Sequence, residues 1–240
     1  VCGALHELEP NEQREWISAV RSGFTGRTLV GLSRFLKGGL LNRIVTSYGS
    51  NLMTQAELEE LDNALIEAAF YGETPRVREL INEGADVDGV RRLYDRTALT
   101  DASDEGHFDI VKLLIENGAD VDKGADYNTT ALMYATCRDH IDIVELLLQS
   151  GAEIDKADDG GSTALIYASG IGRDAIVAML LAGGADPYAA DENGRTALMA
   201  AISNNHPAIV AMLRERMRDE EDGEQQPDMV DDDEFMAMVL

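Results

Sequence analysis

Three histidines are the residues of this chain with the clearest capacity for chemistry, because imidazole is both a general base and a common metal ligand. His107, His140 and His206 are separated by 33 and 66 residues, and Arg173 occupies the skipped position of the same series. Residues that recur at one interval occupy the same place in successive structural units. Neighbouring helical units lie about 10 Å apart, too far for side chains on different units to share one metal ion. The spacing predicts structural histidines and no metal site.

Carboxylates are the other abundant reactive groups, with 45 aspartate and glutamate residues in 240. Asp88, Asp122 and Asp155 each follow a Gly-Ala-Asp or Gly-Ala-Glu tripeptide, so they belong to the same recurring pattern rather than to an acid/base pair. The sequence contains no glycine-rich phosphate loop, no Cys-x-x-Cys motif and no nucleophile elbow. We therefore predict no catalytic residues, no cofactor and no enzymatic activity.

The elements that carry these residues repeat every 33 residues. Within a repeat, apolar residues follow the spacing of one helical face, for example Ile110, Val111, Leu113 and Leu114. A threonine precedes the first helix as an N-cap, and a glycine follows the second, where a left-handed residue ends a helix. The pattern predicts helix, turn, helix and a loop of about ten residues, stacked into an all-α solenoid. The repeated tripeptides begin at Thr97, Thr130, Thr163 and Thr196 and at Gly84, Gly118, Gly151 and Gly184.

Together, the Thr-Ala-Leu, Gly-His, Ile-Val-x-Leu-Leu and Gly-Ala-Asp motifs resemble the ankyrin repeat. The resemblance covers residues 58–217. It implies an ankyrin-type helix-turn-helix solenoid with finger loops and five repeats, which begin near Leu58, Arg92, Ala125, Asp158 and Asp191. Where the family usually has histidine after Thr-Pro-Leu, this chain has Thr100, Met133, Ile166 and Met199. We expect these positions to lose an inter-repeat hydrogen bond.

Two extensions flank the predicted repeat domain of residues 56–217. Residues 1–55 carry a net charge of +2, and their sequence predicts a basic, amphipathic, helical extension. This extension could cap the open end of the solenoid, dock on a partner, or lie on a membrane surface through residues 16–48. Residues 218–240 form an acidic tail that ends in the apolar hexapeptide 235–240. Acidic residues followed by an apolar anchor are typical of short docking segments.

The resemblance also implies where a partner protein would bind. In ankyrin-like repeats the finger tips and the exposed ends of the first helices make the contacts, and tyrosine and arginine are enriched among binding hot spots. We expect Tyr94 and Tyr127, at the same place in adjacent fingers, to be anchors. The predicted partner-binding residues are Phe70, Tyr71, Arg92, Tyr94, Arg96, Asp104, Glu105, Asp126, Tyr127 and Arg138.

Charge narrows the class of partner. The net charge is −25, which repels nucleic acid and attracts a protein with a basic surface. The expected function is a non-enzymatic protein–protein interaction module. The alternative is a structural subunit of a large hetero-complex that is anchored by its two extensions, with an organellar, membrane-associated complex among the options. Two distant cysteines, Cys2 and Cys137, indicate a reducing intracellular compartment. The sequence leaves open whether this compartment is the cytoplasm or an organelle, and whether Val1 is a processed N-terminus.

Overall fold

The computed structural model describes residues 55–91 and 95–224, and this part of the chain folds into five pairs of α-helices. The predicted all-α helical solenoid is confirmed. The predicted helices of residues 1–54 and the tail beyond residue 224 lie outside the described residues. In chain order the helices are α1 Gln55–Phe70, α2 Thr74–Glu83, α3 Ala98–Glu105, α4 Phe108–Glu116, α5 Ala131–Arg138, α6 Ile141–Gln149, α7 Ala164–Ile171, α8 Asp174–Ala182, α9 Ala197–Ser203 and α10 Pro207–Glu224.

Threonine N-caps start four of the first helices, as the sequence predicts. The hydroxyl of Thr130, for example, accepts a hydrogen bond from the backbone N–H of Met133. At α3 the cap is reciprocal, because the Thr100 hydroxyl also accepts from the backbone N–H of Thr97 at 3.0 Å. Thr100 replaces the family's usual histidine, and it satisfies a local backbone donor at the helix start. The same capping bond forms at Thr97, Thr163 and Thr196.

The second helices end where the sequence predicts. Gly118, Gly151 and Gly184 have φ values of 86°, 90° and 89°, in the left-handed region that glycine adopts without a steric cost.

The last helix differs in length from the other second helices. α10 has 18 residues, twice the nine of α8, and it runs to Glu224, past the predicted domain end at residue 217.

The core is continuous from repeat to repeat. Each first helix packs against the first helix of the next repeat, and each second helix against the next second helix. Val111, Val144 and Val177 occupy one equivalent position and are fully buried. Burial of such a valine contributes about 2 kcal/mol, and no isolated helix pair could achieve it.

Aspartates of the loops connect neighbouring repeats. The carboxylates of Asp88, Asp122 and Asp155 each accept a hydrogen bond from a backbone N–H of the following repeat, at 2.9–3.0 Å. These carboxylates therefore belong to the scaffold, as their periodicity predicts.

Two of the three periodic histidines, His107 and His140, are structural as well. His107 donates from Nε2 to the carbonyl oxygen of Phe70 (2.9 Å), and His140 donates to that of Asp104 (3.1 Å). Arg173, at the skipped position, donates to the carbonyl oxygen of Cys137 (3.1 Å). Each side chain thus caps the C-terminal end of a first helix in the preceding repeat. Within residues 55–91 and 95–224 there is no cluster of ligating side chains that could hold a metal ion.

No helix among these residues is both long and apolar enough to cross a membrane.

Candidate partner-binding groove

The loops before α7 and α9 form two tight fingers, each organised by one aspartate. Oδ1 of Asp158 accepts hydrogen bonds from the backbone N–H groups of Gly160 (2.9 Å) and Ser162 (2.8 Å). Asp191 does the same for Asn193 and Arg195, at 2.9 Å each. An aspartate that accepts from backbone groups two and four residues ahead stabilises a turn. Each finger therefore has a turn that its own aspartate stabilises.

The finger before α5 is built differently, because Ala125 stands where the next two fingers have aspartate. Its turn is a 3-10 helix, Asp126–Asn128, in which Tyr127 (φ 56°) and Asn128 (φ 59°) are both left-handed. A left-handed conformation costs a tyrosine about 1 kcal/mol. The backbone N–H of Asp159 holds it there by donating to the Tyr127 carbonyl oxygen (2.8 Å). The Tyr127 side chain is 79% exposed at the tip.

We call the surface between the finger loops and the C-terminal ends of the first helices the groove. It contains a cluster of ionised side chains on α3, on α5 and in the loop before α3. The carboxylate of Asp104 is 8% exposed and binds two arginines: Nη2 of Arg96 at 2.9 Å and Nε of Arg138 at 2.7 Å. Arg96 also forms an ion pair with the buried carboxylate of Asp101. Arg138 reaches Asp104 from the following repeat, so the cluster joins two repeats.

An aromatic ring completes this cluster. The guanidinium carbon of Arg96 lies 4.5 Å from the centroid of the Tyr134 ring, in cation–π geometry. Sequence reasoning did not include Asp101 or Tyr134 in the site. The repeat pattern of the sequence could have pointed to these two residues, because Asp101, Tyr134 and Tyr167 occupy equivalent positions at intervals of 33 residues. Tyr167 bonds within its own repeat, where its hydroxyl donates to Asp158 at 2.6 Å.

The electrostatic environment shifts the pKa values of Asp104 and Asp101 in opposite directions. Burial alone would raise the pKa of Asp104, but hydrogen bonds from Arg138 and Arg96 outweigh burial and lower that pKa. For Asp101 burial dominates over the attraction of Arg96, and the pKa is raised. Burial also raises the pKa of the Cys137 thiol beside this cluster, and nearby Asp104 adds to the effect. A thiol with a raised pKa is a poor nucleophile at neutral pH.

The C-terminal ends of the first helices form an exposed row along the groove. The rings of Phe70 and Tyr71 meet edge to face, with centroids 5.1 Å apart, and Tyr71 is 65% exposed. Glu105 is exposed at the end of α3, and Arg138 is 59% exposed at the end of α5. Ile171, 44% exposed, continues the row on α7. Along the repeats, the row changes from aromatic to acidic, then basic and apolar.

Three arginines of the groove already have carboxylate partners within the protein, whereas Arg195 in the finger before α9 is exposed and forms no ion pair with the described residues. Arg96 and Arg138 pair with Asp104, and Arg173 pairs with Asp139 at 3.2 Å. The carboxylates that are exposed at the helix ends and fingers include those of Glu105, Asp159 and Glu192. None of these three forms an ion pair within the described part of the chain. The accessible charge of the groove is therefore negative.

The predicted contact residues fall into three groups. Arg92 and Tyr94 lie outside the described residues. Arg96 and Asp104 are held in the internal cluster, so their charges are largely satisfied before any partner arrives. The remaining six stay predictions as contact residues: Tyr71, Glu105, Tyr127 and Arg138 are well exposed, Phe70 is 39% exposed and Asp126 is half-buried.

Comparison with known proteins identifies ankyrin repeats in this chain. The family model for ankyrin repeats matches three times, over residues 36–125, 65–158 and 132–225. A 2-5A-dependent ribonuclease of Mus musculus is 37% identical over 67 residues, which are 28% of this chain and 9% of that protein. An ankyrin repeat and KH domain-containing protein of Caenorhabditis elegans, mask-1, is 40% identical over 63 residues, which are 26% of this chain and 2% of that protein. The chain thus spans less than a tenth of either relative.

Proposed function

Because the chain belongs to the ankyrin repeat family, we propose that it binds a basic segment of a partner protein along the groove and performs no chemistry itself. Ankyrin repeats are protein–protein interaction modules and are typically non-enzymatic. The observation that supports a basic partner is the charge balance of the groove. Arg96, Arg138 and Arg173 have carboxylate partners within the protein, whereas Glu105, Asp159 and Glu192 are exposed and outnumber the exposed, unpaired Arg195.

Electrostatic steering would bring such a partner to the groove. A net charge of −25 gives the protein a negative potential overall, and exposed carboxylates along one groove concentrate it there. Aromatic side chains at the rim supply the apolar contact. Tyr71 and Tyr127 offer large rings with few rotatable bonds, so they lose little entropy on binding.

Arg138 has a separate part in this proposal. Its Nε is fixed by Asp104, which orients the exposed guanidinium at the centre of the helix-end row. An arginine oriented in this way can donate from its terminal nitrogens to backbone carbonyls or a carboxylate of the bound segment. The segment would therefore place basic residues near Glu105 and an acceptor near Arg138.

A matched pair of charge reversals tests the proposal. Glu105→Lys changes the groove, and Glu116→Lys makes the same change at the exposed end of α4, a second helix. Proteins captured from the native source by the unaltered chain should be bound at least about fivefold more weakly by Glu105→Lys. Glu116→Lys should capture them as well as the unaltered chain does, and about 0.5 M salt should release them. Equal capture by all three chains would overturn the groove assignment.

The sequence also supports a second function, as a structural subunit of a hetero-complex. Residues 16–55 contain five basic side chains and no acidic one, next to an acidic repeat domain. This segment could anchor the chain to a partner or to an anionic membrane surface in a reducing compartment, including an organelle. Deleting residues 1–50 separates the two functions, because groove binding would survive the deletion and anchoring would not.

A further inference from the structure

The last repeat exposes an apolar surface that the other repeats bury. Met199 and Ile202 on α9 are 56% and 52% exposed. In the preceding repeat the equivalent positions, Ile166 and Ser169, are 6% and 0% exposed, because the next first helix packs over them. Stacked repeats must end in a covered or polar face. Here two large apolar side chains stand at that end.

The second helix of the last repeat continues this surface. Val210 on α10 is half-buried, whereas the equivalent valines of three earlier repeats are fully buried. Arg214 is exposed at the position of Leu181, which is 7% exposed in the preceding repeat. We call Met199, Ile202, Val210 and Arg214 the terminal face. It is distinct from the groove, which lies along the fingers and the ends of the first helices.

We propose that the C-terminal hexapeptide of the same chain, residues 235–240, docks on the terminal face in the place of a further repeat. The hexapeptide, Phe-Met-Ala-Met-Val-Leu, is the apolar segment beyond α10. Its residues Phe235, Met236, Val239 and Leu240 have the i, i+1, i+4, i+5 spacing of one helical face. This is the kind of apolar face that a following first helix would present.

The connecting segment is long enough for this contact. From Val210 to Glu224, α10 extends about 21 Å, at 1.5 Å per residue. Residues 225–234 can span about 33 Å when extended. The chain can therefore return along α10 and place the hexapeptide against the terminal face.

Charge favours the same arrangement. Asp231, Asp232, Asp233 and Glu234 directly precede the hexapeptide. Arg214 on the terminal face and Arg218 one turn further are both exposed, and neither forms an ion pair within the described part of the chain. Most of the surface is acidic and would repel the tail, so these arginines direct it to α10. A basic partner segment, by contrast, would be repelled from them.

Photo-crosslinking of the full chain tests the contact. A benzophenone amino acid at position 235 should crosslink within one molecule, to residues 197–203 of α9 or to α10 near Val210. Ile202→Glu should reduce the yield of this product at least about fivefold, because it places a charge in the apolar contact. Ile141→Glu, at a residue 41% exposed on α6, is the matched control and should leave the yield unchanged.

Hydrogen exchange gives an independent readout. Phe235→Asp together with Leu240→Asp should make the α9 amides exchange at least about tenfold faster, whereas Met229→Asp in the same tail should not. Crosslinks mainly between two molecules, crosslinks to the groove, or an unchanged yield in Ile202→Glu would each overturn the proposal. Equal exchange of α9 in the unaltered chain and the double variant would do so as well.

Discussion

Arg138 donates from Nε to Oδ1 of Asp104 at 2.7 Å, across the boundary between two repeats. Nη2 of Arg96 occupies the other carboxylate oxygen at 2.9 Å. The same pair has a structural and a functional consequence. It connects α3 to α5, and it leaves an oriented, half-exposed guanidinium at the centre of the groove.

Removing the charge of Asp104 should weaken the solenoid. Asp104→Asn keeps the size of the side chain but leaves Arg96 and Arg138 without their anionic partner. We expect the free energy of unfolding to fall by about 2 kcal/mol, the cost of losing hydrogen bonds to a buried charged group. Urea denaturation measures it. The more exposed pair of Asp139 and Arg173 is the control, and Asp139→Asn should cost less than about 0.5 kcal/mol. Equal losses in the two variants would contradict this account.

The same carboxylate should make stability depend on pH in the acid range. The pKa of Asp104 is lowered from 3.8 on folding, so its contribution is complete above about pH 4 and is lost as pH falls through the lowered pKa. Asp101 acts in the opposite sense, because its pKa is raised, and its protonation below that pKa favours the folded state. Asp104→Asn should therefore lose less stability than the unaltered chain between about pH 4 and pH 2. Chemical denaturation at a series of pH values gives this difference, and parallel curves would exclude the assigned role.

Substitutions at two glycines distinguish the free-energy cost of backbone strain from that of a steric contact. Gly106 (φ 81°) and Gly118 (φ 86°) are both left-handed. A Cβ at Gly106 would lie 2.5 Å from the His140 ring, whereas at Gly118 it would meet nothing within 4 Å. Gly118→Ala should cost about 1 kcal/mol from the backbone alone. Gly106→Ala should cost about 3 kcal/mol, because the ring must also move from the carbonyl oxygen to which it donates. Thermal or urea unfolding of both variants gives the comparison, and equal costs would mean that the contact with His140 is unimportant.

The parts of the fold that repeat could be predicted from the sequence. Thr130 caps α5 and His107 bonds to the preceding repeat because each position recurs in the same local environment. The cluster around Asp104 does not recur. Its equivalents in later repeats are Cys137 and Gly170, so periodicity carries no information about which arginine reaches it.

Exposure at the end of the stack could not be predicted from the repeat pattern either. Met199 occupies the same position in its repeat as Met133, yet Met133 is 1% exposed and Met199 is 56% exposed. Burial there depends on whether a neighbour follows, which the repeat pattern itself does not encode. Tyr127 is a third case, because its backbone is left-handed in a finger that has Ala125 where the next two fingers have an aspartate that accepts turn hydrogen bonds.

Tyr127→Asn should separate binding from stability. Asparagine adopts left-handed backbone angles more readily than tyrosine, so the substitution relieves strain at φ 56° while it removes the exposed ring. We expect the free energy of unfolding to stay the same or to rise by less than about 1 kcal/mol. Partner capture should fall by at least about tenfold, since an exposed tyrosine anchor contributes more than 1 kcal/mol to binding. Capture from the native source, with urea denaturation of the same samples, measures both quantities. Unchanged capture would show that Tyr127 is not an anchor. A loss of stability parallel to the loss of capture would mean that the ring supports the finger itself.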